Sequence, residues 1–137
     1  MTSGGSAQRS GNATLGPAPF AIAAREHDAS TSVIAVQGEL DLSSAPDLKW
    51  MLTDALEAGR SRLVVDLSET TFMDSTGLGV LIGLNKRLED GSELLIVCPP
   101  GVVRQVFEFS GTDGAFTMVR TPDEAIAHLE RRASQAG

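Results

Sequence analysis

Residues 66–83 read Asp-Leu-Ser-Glu-Thr-Thr-Phe-Met-Asp-Ser-Thr-Gly-Leu-Gly-Val-Leu-Ile-Gly. A strand ends here, a short loop follows, and a helix begins beside Asp74-Ser75-Thr76. All three types cap helices well, so capping is their plain role. A hydroxyl at this point has a second property. A phosphate placed on it meets free backbone N–H groups and the positive end of the helix dipole. It adds about −1.5 to −2 charges at the surface without melting the helix, which suits a binding switch. Gly77, Gly79 and Gly83 follow inside the helix. Each costs roughly 0.8–1 kcal/mol relative to Ala, so the three together cost roughly 2.5–3 kcal/mol. Either the helix packs closely on a neighbouring element, or another chain's backbone approaches its start. The two explanations are compatible.

Other chemistries are poorly supplied. Gly77-x-Gly79-x-x-x-Gly83 misses the dinucleotide fingerprint by one residue and starts within the helix rather than after a strand. There is no Gly-Lys-Ser/Thr phosphate loop and no Gly-x-Ser-x-Gly elbow. Ser75 has no evident general base. His27 falls near the end of the first strand, and His128 reads as a solvated residue of the last helix. With Cys98 as the single cysteine, neither a disulfide framework nor a zinc site is expected. Asp41, Asp66 and Asp74 could gather at one end of a sheet and hold Mg²⁺, although strand-end acids are more often caps and turn residues. No metal or cofactor is expected.

The elements that position these residues can be read from apolar spacing. Strands are expected over Phe20–Arg25, over Ser32–Leu40 with its end near Gly38, and over Arg62–Leu67, Glu93–Val97 and Phe116–Val119. Ser43-Ser44-Ala45-Pro46 offers N-cap chemistry to a helix carrying Leu48, Met51, Leu52, Ala55 and Leu56, which Gly59 stops. The glycine-bearing helix is expected over Thr76–Glu89. Pro99-Pro100 opens a short helix that ends at Gly111, and Thr121-Pro122-Asp123-Glu124 fits a capping box for the last helix. The order β-β-α-β-α-β-α-β-α predicts an α/β fold: one domain, a mixed sheet of four to five strands with about four helices, its faces covered unequally.

The chain has 137 residues, 18 acidic and 11 basic side chains, and a formal net charge of −7. Its length suits one domain. Its charge argues against nucleic-acid or anionic-membrane partners. No apolar run spans a bilayer and the start lacks the pattern of a signal peptide, so a cytoplasmic setting is expected. Residues 1–18 are small and polar and are expected to be a disordered tail. The domain is expected over residues 19–132, with a C-terminal tail at 133–137.

Val64-Val65-Asp66-Leu67 and Phe72-Met73-Asp74-Ser75-Thr76-Gly77-Leu78-Gly79-Val80-Leu81, together with Gly38-Glu39-Leu40-Asp41 and the stretch 103–111, resemble the STAS family, above all bacterial anti-sigma factor antagonists. The likeness runs over about residues 20–130. It implies a non-enzymatic partner switch in transcription, of the kind used in stress response and sporulation. The unphosphorylated protein binds an anti-sigma factor that is also a serine kinase, and this frees a sigma factor. Phosphorylation of Ser75 ends binding, and a PP2C-like serine phosphatase restores it. The resemblance places Asp41 at the kinase contact, Asp74 beside the phosphorylated serine, and Thr76 where some members have a second serine. Gly77, Leu78, Gly79 and Ile82 are expected to contribute to the partner surface, with core burial the competing role for Leu78.

Two rivals remain at this point. One is a STAS module that binds a partner or small ligand, such as a nucleotide, without phosphorylation. The other is a small enzyme with its site near Asp41, Asp66 and Asp74. An enzyme turns over substrate alone, whereas a switch does nothing without its kinase.

Overall fold

A computed structural model of the chain describes residues 19–136, so the expected N-terminal tail lies outside the described residues. The elements run β1 (Ala21–Asp28), β2 (Thr31–Leu40), α1 (Ala45–Glu57), β3 (Arg62–Met73), α2 (Ser75–Arg87), β4 (Glu93–Val97), α3 (Val102–Phe109), a 3₁₀ turn (Asp113–Ala115), β5 (Thr117–Val119) and α4 (Pro122–Ala136). The strands lie in sequence order, with β1 antiparallel to β2 and every other pair parallel.

That order explains the unequal faces. Each parallel step needs a crossover, and crossovers are right-handed. Successive right-handed steps in one direction put α1, α2 and α3 on the same side. Their buried Leu48, Leu52, Leu78, Leu81, Val103 and Phe107 join Ile34, Val65 and Ile96 in the main core. After β5 there is no further strand to reach, so α4 folds back on the other face. There Ala125 and Leu129 cover Val33, Val64, Leu95 and Val97. On that face of β2, Ala35, Gln37 and Glu39 remain exposed.

Several boundaries differ from the sequence expectation, β1 among them, which runs on to Asp28. β3 continues past Leu67 to Met73. Its polar second half breaks the apolar pattern but still pairs with β2. Register shifts between Ala35 and Gln37 and between Gly38 and Glu39 absorb its extra residues. Gly38, with φ +90°, supplies backbone freedom at the second shift. α2 starts one residue early and ends at Arg87 rather than Glu89. α4 runs to Ala136, so residues 133–136, expected as tail, are helical. Ala133, Gln135 and Ala136 are good helix formers, and no breaker precedes Gly137.

Candidate functional site

Leu40 and Met73 are register partners at the ends of β2 and β3. Asp41 and Asp74 therefore leave the sheet side by side, and the Asp74 N–H donates to the Leu40 carbonyl at 3.1 Å. Asp74 is the N-cap of α2: its Oδ1 accepts from the N–H groups of Thr76 at 2.8 Å and Gly77 at 3.1 Å. Ser75 is thus the first helical residue rather than the cap. Its side chain is exposed and makes no hydrogen bond to the described residues. Thr76 is half-buried.

Asp41 is held by its own loop. Its Oδ1 accepts from the Ser43 hydroxyl at 2.8 Å and the Ser43 N–H at 3.0 Å, with longer contacts from Ser44. The Ser43 hydroxyl bond leads in holding the Asp41 carboxyl below the usual carboxylate range, against a smaller opposing effect of desolvation. Ser44 stands at the N-cap position of α1 but makes no side-chain cap bond. Its hydroxyl turns back to the Glu39 carbonyl at 2.8 Å. The expected Ser43–Ser44 capping is therefore replaced by a turn built around Asp41.

The other expected residues divide. Asp66 pairs with Ala35 and Val97 well inside the sheet and accepts from the Ser68 N–H at 2.9 Å. It does not join Asp41 and Asp74, and no metal-binding group of three His, Cys, Asp or Glu occurs among the described residues. His128 is not free in solvent: its Nε2 lies 2.8 Å from Glu93 Oε2. Burial pushes the Cys98 thiol up to about 11, so it stays protonated at neutral pH.

The helix glycines separate as well. A Cβ on Gly77 would lie 2.9 Å from Leu40 Cγ and 3.0 Å from Met73 Cγ, whereas one on Gly79 or Gly83 would meet nothing within 4 Å. Gly77 and Leu78 are buried, Leu78 in the main core. In the unbound chain both are turned into the fold, the competing role named for Leu78. Their work is to seat α2. Ile82 is half-buried against the same core, and Gly79 is exposed.

Gly79 and Gly83 open onto a groove of about 440 Å³ between α1 and α2, lined also by Lys49, Thr53, Thr76, Val80 and Arg87. It continues into a hollow of about 500 Å³ beside the exposed Leu42 and Trp50. Sequence reasoning missed Lys49, Trp50 and Arg87. The available signal was helical spacing, since Thr76, Val80, Gly83 and Arg87 share one face of α2.

A family model described as STAS domain matches residues 21–125. The chain belongs to the STAS domain family. Among STAS relatives, the anti-sigma-B factor antagonist of Staphylococcus aureus is 35% identical over 79 residues, 57% of this chain and 73% of that protein. The anti-sigma F factor antagonist of Lysinibacillus sphaericus is 32% identical over 98 residues, 70% and 83% respectively. An anti-sigma factor antagonist from Mycobacterium paratuberculosis superposes with a TM-score of 0.76 at 27% identity, covering 82% of this chain and 95% of that one. The antagonist SpoIIAA superposes in its unphosphorylated form with a TM-score of 0.65 at 26% identity, covering 80% of this chain and 98% of that one. Phosphorylated SpoIIAA from Bacillus gives 0.63 at 27% identity, covering 80% and 99%. Among the described residues, no helix is long and apolar enough to cross a membrane.

Proposed function

We propose that this STAS domain is an anti-sigma factor antagonist, switched off by phosphorylation of Ser75. The observation that carries the reading is the division of labour at the start of α2. Asp74 caps the helix, and this leaves the Ser75 hydroxyl exposed and unbonded to the described residues. A phosphate there meets the helix N-terminus and removes no bond that the fold uses. The near-equal likeness to SpoIIAA with and without phosphate supports a modification that spares the fold.

The partner is an anti-sigma factor that doubles as a serine kinase, and a PP2C-like phosphatase resets the switch in the cytoplasm. The chain itself performs no catalysis. Asp41, kept ionised beside Asp74, gives this corner negative charge before any modification. Two negative charges about 4 Å apart repel by about 4 kcal/mol at an effective dielectric near 20. A third of that is about tenfold in affinity, so phosphate facing a partner carboxylate dissociates the complex.

The test is intact mass and site mapping after incubation with candidate anti-sigma kinases and Mg-ATP, beside a Ser75→Ala control. One added phosphate on Ser75, absent from the control, is expected, with Ser75→Ala retaining the kinase and Ser75→Asp binding it more weakly. Equal affinity of Ser75→Ala, Ser75→Asp and phosphorylated protein would sink the switch. No added phosphate with any kinase would favour a STAS module that binds without modification.

A further inference from the structure

We infer that the α1–α2 groove is the seat of an acidic amphipathic helix of the anti-sigma partner, an inference that rests on the function proposed above. Gly79 and Gly83 lower the helix propensity of α2, yet among the described residues no atom lies within 4 Å of where their side chains would begin. They stand four residues apart on the groove face, where missing side chains let a second helix backbone approach closely. From Gly79 to Arg87 the groove runs about 12 Å along α2, enough for about two turns of a docked helix. Half-buried Val80 and the exposed Trp50 offer apolar contact.

The charge of the groove sets the chemistry of its occupant. The chain carries a net −7, but the only ionisable side chains lining this groove are Lys49 and Arg87. Neither forms an ion pair among the described residues. A carboxylate-bearing helix pairs with both, while the acidic corner at Asp41 and Asp74 steers it into one orientation. Thr76 lines the groove next to Ser75, so phosphate would stand at its mouth.

The test measures affinity for each purified anti-sigma factor kinase of the source cell, in a Ser75→Ala background that removes phosphorylation. Gly79→Leu is expected to weaken binding about tenfold or more while its melting temperature holds or rises, because the new side chain improves helix propensity and enters open space. Lys49→Glu and Arg87→Glu are each expected to weaken binding about tenfold and, combined, to flatten its salt dependence. Trp50 emission should shift on complex formation. If the parent protein binds the partner and all three variants bind equally well, the groove assignment is wrong and the proposed function stands. If the parent binds no anti-sigma factor, both fall. Trp50 shifts produced by Mg-ATP or Mg-GTP alone, or self-association lost in Gly79→Leu, would replace the partner helix with a nucleotide or a second copy.

Discussion

Gly77 and Gly79 are two residues apart on one helix and serve opposite ends. The first presses against Leu40 and Met73, and among the described residues nothing fills the space over the second. The inner side of α2, with Gly77, Leu78, Leu81 and Leu84, is buried against the sheet. The outer side, with Ser75, Gly79 and Gly83, is exposed. Both sides spend helix propensity, but among the described residues only the inner one recovers it in packing.

Substitutions can break this contrast. Leu81 is fully buried, so Leu81→Ala should lower stability by about 3 kcal/mol in urea denaturation. A loss under about 1 kcal/mol would mean that the inner face is not packed as described. Gly77→Ala should destabilise by about 1–2 kcal/mol, because overpacking against Leu40 and Met73 outweighs the gain in propensity. Asp74→Ala should cost about 1 kcal/mol of capping, whereas Ser75→Ala should change stability by less than about 0.5 kcal/mol. Reversed values for that pair would move the cap to Ser75. Gly79→Ala should raise stability by about 0.8 kcal/mol. The same substitution two residues apart is thus expected to have opposite signs in thermal melts, and equal signs would remove the distinction.

Most elements were legible because their apolar residues recur at the right spacing: Ile34 and Val36 on β2, and Leu48, Leu52 and Ala55 on α1. The second half of β3 was not. Ser68 to Thr71 carry no apolar pattern, and only pairing with β2, through bulges in β3 itself, makes them strand. The position of Ser75 next to a helix start was readable, but its freedom from capping depends on which carboxylate reaches the Thr76 and Gly77 N–H groups. The His128–Glu93 contact joins residues 35 apart, beyond any local signal. The groove is a property of two helices together, so helical spacing could group Arg87 with Thr76, Val80 and Gly83 on α2 but could not bring Lys49 of α1 to them. Trp50 is 67% exposed and suits a report of docking.

Because the cap is Asp74, any enzyme that acts on Ser75 meets a finished domain and leaves one behind. A group can be attached and removed over many cycles without the chain opening or visiting a state open to proteases. Under the phosphorylation proposed for Ser75, one molecule could be marked and reset repeatedly.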